Sequence, residues 1–179
     1  MQIVVINGMP RAGKDQFVQF CQKHTTWCEN LSTVDFVKQI ATQCGWDGTK
    51  TSKNREFLSD LKDLLTQWGD VPFKKVKKAA ENYNSEAISY DFDTDEVLVF
   101  IHCREPKEIA KFVREMNAIT LLIRREAIES NEQSNHADAE VFNYNYDYVV
   151  ENNSTLEELE ESAVTFLHKI FQGKDLIIR

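Results

Sequence analysis

The apolar run Ile3-Val4-Val5-Ile6 leads straight into Asn7-Gly8-Met9-Pro10-Arg11-Ala12-Gly13, and Lys14-Asp15-Gln16-Phe17-Val18 follows. A short, β-branched and uninterrupted run reads as a buried strand. Gly8, Gly13 and Lys14 then match the spacing G-x-x-x-x-G-K. Glycines let backbone N–H groups turn inward around phosphate oxygens, and a helix N-terminus adds free N–H groups and a positive dipole end. A lysine at the helix start reaches the β- and γ-phosphates. Strand, loop and helix occur here in the order that such a phosphate-binding loop needs, and the alternative is a tight turn with a surface lysine. Position 15 departs from the pattern, because Asp15 stands where a Ser or Thr hydroxyl would hold magnesium. A carboxylate donates no hydrogen bond, but it can hold the ion directly or through water, and it suits a helix N-terminus.

The rest of the chain alternates apolar strands with helical stretches. The pattern predicts a helix from Lys14 to His24, a short strand over Leu31–Val34 and a helix opening at Asp35. A second helix face is formed by Phe57, Leu58, Leu61, Leu64, Leu65 and Trp68, stopped by Gly69. Pro72 suits the first turn of the next helix, whose stripe is Phe73, Val76, Ala79, Ala80 and Tyr83. Further strands are expected at Val97–Ile101, Ala118–Ile123 and Tyr148–Val150, with a helix opening at Glu105-Pro106. Ser154-x-x-Glu157 has capping-box spacing before a last helix with Leu156, Leu159, Ala163, Phe166, Leu167, Ile170 and Phe171 on one face and Gly173 at its end. This alternation predicts an α/β fold of three layers, a mostly parallel five-stranded sheet flanked by helices. One domain over 1–179 is expected, with polar inserts near 45–55 and 125–146 as its movable parts.

Composition excludes several classes. A net charge of -8 argues against a diffuse nucleic-acid surface, and the absence of an 18-residue apolar run argues against a membrane span. The N-terminus lacks the marks of a signal peptide. Cys21, Cys28, Cys44 and Cys103 show no CxxC or zinc-finger spacing, and Cys21, Cys44 and Cys103 read as reduced packing residues of a cytoplasmic protein. Lys74, Lys75, Lys77 and Lys78 read as a solvated helix face. Trp46 and Trp68 are expected in the core. There is no Asn-Lys-x-Asp for guanine and no Asp-x-x-Gly after the inner strand, which excludes a GTPase switch. The sequence leaves monomer and homodimer open.

Gly-Met-Pro-Arg-Ala-Gly-Lys-Asp resembles the loop of the P-loop nucleotide kinase superfamily, in particular the phage-type deoxynucleoside monophosphate kinases and the animal-type phosphomevalonate kinases. Both groups share the Gly-Lys-Asp ending and a basic residue before the second glycine, here Arg11. Val34–Ala41, then Gly45–Lys50 and Arg55, resemble the acceptor side of those kinases; Arg104–Phe112 and Tyr146–Glu161 resemble later elements. The resemblance implies ATP and Mg2+ as cofactors and a small-molecule phosphate acceptor, with an acceptor-binding insert at about 45–90 and a lid at about 124–146. It places ATP against Gly8, Met9, Pro10, Arg11, Ala12, Gly13, Lys14, Asp15 and Gln16, with Asn152 beside the adenine. Lys14, Arg11, Arg124 and Arg125 would supply charge for transfer, the last two at the entry to the lid. Arg104, at the carboxyl end of the inner strand where open α/β sheets bind ligands, is a candidate for the acceptor phosphate, with Arg55 and Lys38 beside it. Asp35 fits acceptor hydroxyls or magnesium, and equally a helix N-cap. Asp15 and Asp35 are the candidate metal ligands, because His102 and Cys103 stand where many such enzymes carry an inner-strand Asp. His102 itself is expected to pack at the strand end. The expected function is ATP-dependent phosphoryl transfer to a nucleoside or deoxynucleoside monophosphate; the alternatives are a kinase for a non-nucleotide phosphate and a catalytically weak nucleotide-binding module.

Overall fold

The computed structural model describes residues 1–129 and 140–171. Five parallel strands, β1 (Gln2–Asn7), β2 (Trp27–Ser32), β3 (Val97–His102), β4 (Ile119–Arg124) and β5 (Tyr148–Glu151), form one sheet in the order β2-β3-β1-β4-β5. The α-helices among the described residues are α1 (Lys14–Lys23), α2 (Asp35–Gln43), α3 (Ser52–Gly69), α4 (Val71–Ser89), α5 (Pro106–Met116), the short α6 (Glu126–Glu129) and α7 (Leu156–Ile170).

Strand alternation divides the core into two halves. Val4, Ile6, Leu98, Phe100, Leu121 and Ile123 point to one face and pack on Phe17, Val18 and Cys21 of α1 and on Leu159, Ala163, Phe166 and Leu167 of α7. Ile3, Val5, Val97, Val99 and Ile101 point to the other and meet Phe73, Val76 and Ala80 of α4 and Ile109 and Phe112 of α5. Phe100, fully buried, lies edge-on to Phe17 at 6.5 Å between ring centres. Deleting a buried ring of this kind costs about 3–5 kcal/mol. The helices that follow β1 and β3 therefore leave on opposite faces. The crevice between the carboxyl ends of these adjacent strands is the switch point where open α/β sheets take ligands.

Several expectations need correction. The second strand runs over Trp27–Ser32, not Leu31–Val34. It is an edge strand with Glu29 and Asn30 at its centre and one paired side, so it lacks a continuous apolar run. The last helix is capped one residue later than read: Thr155 accepts a hydrogen bond from the N–H of Glu158, and Leu156 stays exposed. α3 ends at Gly69 as the sequence predicts, and Asp70, at φ 59°, turns the chain into α4. Cys44 is exposed, whereas Cys21 and Cys103 are buried, and all four cysteines are free.

The largest departure is α3. Its apolar stripe is not core: Trp68 is 84% exposed and Leu64 63%. Its buried residue is Lys62, whose ammonium reaches Glu108 Oε2 at 2.6 Å and Glu105 Oε1 at 2.9 Å at the start of α5. A polar anchor thus fixes α3 where the hydrophobic pattern predicts an apolar one. The expected helix end at Gly173 and residues 130–139 of the expected lid lie outside the described residues.

Candidate functional site

Asn7 ends β1 almost fully buried, and every polar atom of its side chain is used. Its Oδ1 accepts from the N–H of Gly8 at 2.8 Å; its Nδ2 donates to the carbonyl of Arg104 and to Tyr146 Oη. Tyr146 donates in turn to the carbonyl of Val141. Burial pushes the Tyr146 phenol up to about 12, an effect eased by its bond to Asn7. One asparagine thus ties together the loop, the end of β3 and the chain entering β5.

The loop has the backbone that its glycines predict. Gly8 (φ 148°) lies so close to β4 that a Cβ there would stand 2.4 Å from the Ile123 carbonyl. Gly13 (φ 101°) is closed in by Asn152, whose Nδ2 a Cβ would meet at 2.3 Å. Arg11 is exposed at φ 67°, a conformation that costs a non-glycine residue on the order of 1 kcal/mol. Ala12 is buried, and Met9 packs with Leu122 and Val141. Lys14 opens α1 and folds back, its Nζ donating to the carbonyls of Gly8 at 2.7 Å and Met9 at 2.8 Å. Asn152 donates through Nδ2 to the Ala12 carbonyl at 2.8 Å, and its own N–H bonds to the Arg124 carbonyl. In this structure its amide braces the loop from behind.

Across the crevice stands His102, at the end of β3, in register with Ile6 of β1 and Ser32 of β2. Its Nε2 lies 3.8 Å from Asp15 Oδ1 and is buried without a hydrogen-bond partner among the described residues. Burial holds the imidazole below its ordinary pKa; Asp15 and Asp35 oppose this, while Lys14 and Arg104 add to it. That electrostatic neighbourhood gathers four of the sequence candidates, Lys14, Asp15, Asp35 and Arg104, around His102.

Asp35 occupies the first helical position of α2, after Val34 as N-cap, so the cap alternative for Asp35 is not realised. The other candidates are dispersed. Lys38 pairs with Asp35 at 3.3 Å on an exposed face. Arg55 is exposed in the first turn of α3, and its side chain has no hydrogen bond or ion pair among the described residues. Arg124 ends β4 beside Glu151 (3.4 Å) and over the Phe142 ring, and Arg125 is exposed next to it. Asn153 accepts from the N–H of Glu126, which caps α6.

Asp15 is 87% exposed at the mouth of the crevice, and no group of three or more His, Cys, Asp or Glu able to hold a metal ion occurs among the described residues. Such a donor set does not build a self-sufficient metal cage. It fits a magnesium ion that arrives with a nucleotide and takes most of its oxygen ligands from phosphate and water, with Asp15 or Asp35 as the protein's share. Two contributors had weak sequence signals. Asn7 belongs to the loop motif by position only, and His102 is marked chiefly by standing where a carboxylate is expected.

No family model matches the chain, and no curated protein matches it. Solved structures do. Shikimate kinase from Aquifex aeolicus superposes with a TM-score of 0.50 at 8% identity, covering 97% of this chain and 100% of its own. Dephospho-CoA kinase from Campylobacter jejuni gives 0.49 at 11% identity, covering 96% and 98%. A sugar kinase from Janibacter gives 0.47 at 15% identity, covering 99% and 96%. The parallel five-stranded sheet with helices on both faces is a three-layer α/β fold, the one this chain shares with that shikimate kinase.

Proposed function

We propose that this chain is a small kinase that moves the γ-phosphoryl group of ATP to a phosphorylated small molecule, with a nucleoside or deoxynucleoside monophosphate as the leading acceptor. The observation that carries the reading is the loop. Two glycines with positive φ bracket four residues, and the ammonium of Lys14 hangs over the loop carbonyls at the start of α1. On nucleotide binding the ammonium leaves those carbonyls for the β- and γ-phosphates. Transfer forms a bond from an acceptor phosphate oxygen to the γ-phosphorus as the bond to the bridging oxygen breaks, and ADP leaves with that electron pair. An acceptor phosphate oxygen is already anionic, so this chain needs no general base. Its residues supply position and charge: Lys14 and Arg11 from the loop, Arg104 from the chain after β3, and Arg124 and Arg125 from the end of β4. Bound magnesium would neutralise charge developing on the phosphates, held by Asp15 or Asp35.

The fold shared with a shikimate kinase supports a small-molecule kinase and leaves the acceptor open. The Gly-Lys-Asp ending with Arg11 before it favours the monophosphate kinases; helices α3 and α4 are the proposed acceptor side, and the 124–146 stretch the proposed lid. A phosphomevalonate-like acceptor is the alternative within this class, and base-selective binding separates the two. A nucleotide-binding module without transfer is favoured by one observation, His102 in place of the inner-strand carboxylate. The test is a transfer screen with ATP·Mg against ribo- and deoxyribonucleoside monophosphates and several non-nucleotide phosphates. ADP formation that depends on one acceptor supports the kinase. ATP binding without transfer to any member of the panel supports the module.

A further inference from the structure

We propose that His102 is a catalytic residue of this site, its Nε2–H hydrogen-bonding an acceptor phosphate oxygen in the crevice between β1 and β3; the proposal rests on the kinase reading above. Three observations carry it. First, place: β3 continues the alternation Leu98, Phe100, His102 towards α1, so the imidazole reaches the crevice beneath the first turn of that helix. The main chain on either side of it is fixed, since its carbonyl accepts from the N–H of Thr33 and the N–H of Cys103 bonds to the carbonyl of Ile6. Second, the unpaired atom. Three buried side-chain atoms lack a partner among the described residues: His24 Nδ1, Glu108 Oε1 and His102 Nε2. In the first two residues the other polar atom is in an ion pair, with Glu160 and with Lys62, away from the loop. His102 Nε2 instead stands against the charges of the site, with Asp15 Oδ1 at 3.8 Å, beyond hydrogen-bond reach. A buried polar nitrogen left unpaired is costly, and one at a ligand crevice is explained by a ligand that pairs it.

Third, charge. Asp15 and Asp35 already border the crevice. A carboxylate at position 102 would set a third negative charge against an anionic acceptor. A neutral imidazole supplies a hydrogen-bond donor without that repulsion, and the nearby Asp15 carboxylate favours the tautomer with its proton on Nε2. No proton moves through His102 during transfer. The imidazole keeps its Nε2–H while the acceptor oxygen bonds to the γ-phosphorus and ADP departs.

The test uses the full chain and two substitutions. His102→Gln places an amide nitrogen where Nε2 stands; His102→Leu leaves no polar atom. With the best acceptor of the screen, kcat/KM for that acceptor should fall about 10- to 100-fold in His102→Leu and stay within about fivefold of wild type in His102→Gln. ATP affinity should be unchanged in both, and thermal melts check that both fold. In protein labelled with 15N-histidine, the His102 Nε2 resonance should move when inorganic phosphate or that acceptor is added. Full activity in His102→Leu, equal damage in both variants, a loss confined to ATP affinity, or an unmoved resonance at saturating acceptor each overturns the proposal while leaving the kinase intact. A wild type that transfers to no acceptor overturns the kinase reading itself, and the catalytic role of His102 with it.

Discussion

Lys62→Met isolates the anchor between α3 and the start of α5. Methionine keeps the length and the apolar stem of lysine and removes the charge. Lys62 and Glu108 have side chains only 9% and 8% exposed, so the ammonium and the carboxylate satisfy each other largely out of water. Cys103 Sγ donates to the same Glu108 oxygen at 3.4 Å. Burial by itself pulls the Lys62 ammonium down, but Glu108, Cys103 and Glu105 outweigh it and raise its pKa. Breaking one side of a buried pair costs about 3–5 kcal/mol. The expected loss is therefore about 3–5 kcal/mol, or a fall in Tm of roughly 6–20 °C for a chain of this size. Lys62→Met/Glu108→Leu should recover most of the loss, since removing both partners leaves no buried charge. Urea unfolding of the three proteins at pH 7 measures this. A loss under about 1 kcal/mol at pH 7, or no recovery in the double variant, would refute the claim that a buried charge pair seats α3.

Gly13→Ala and Gly45→Ala form a contrast. Both glycines have positive φ, but a Cβ at 13 meets Asn152 Nδ2 at 2.3 Å while one at 45 meets nothing of the described residues within 4 Å. Gly45→Ala should cost on the order of 1 kcal/mol and leave ATP affinity alone; Gly13→Ala should also weaken ATP at least about tenfold, read by titration calorimetry. Equal effects on ATP would contradict the account of the loop. Tyr146 tests the brace at Asn7. Its phenol is raised to about 12, so the fold favours the neutral form: the contribution is intact below about pH 10 and is lost as pH rises from there through 12. Tyrosinate absorbance should show a step near 12 in the wild type that is missing in Tyr146→Phe.

Much of the fold was legible in the sequence, because β1, β3 and β4 lie inside the sheet and read as largely apolar runs. β2 was misplaced because an edge strand needs apolar residues on fewer sides, and Glu29 and Asn30 hide it. The stripe on α3 followed helical spacing faithfully, yet periodicity reports which residues share a face and not whether another element covers it. Its anchor, Lys62, reads as a surface residue until Glu105 and Glu108 appear beside it. The loop was legible since glycine spacing is a backbone requirement. Its support was not: Asn152 lies 140 residues from Ala12 along the chain, and no local pattern links them. His102 reads as a strand-end packing residue for a similar reason, since Lys14 and Asp15 of α1 and Asp35 of α2 reach it from segments distant along the chain.

The central claim is that Gly8–Lys14 is a working phosphate loop. ATP·Mg affinity of the wild type and of Lys14→Ala, measured by titration calorimetry, tests it most directly. The ammonium of Lys14 makes charge-assisted bonds to phosphate in this account, so the variant should bind about 10- to 100-fold more weakly while melting at a similar temperature. Equal ATP affinity in the two proteins, or no ATP binding by the wild type, would contradict it.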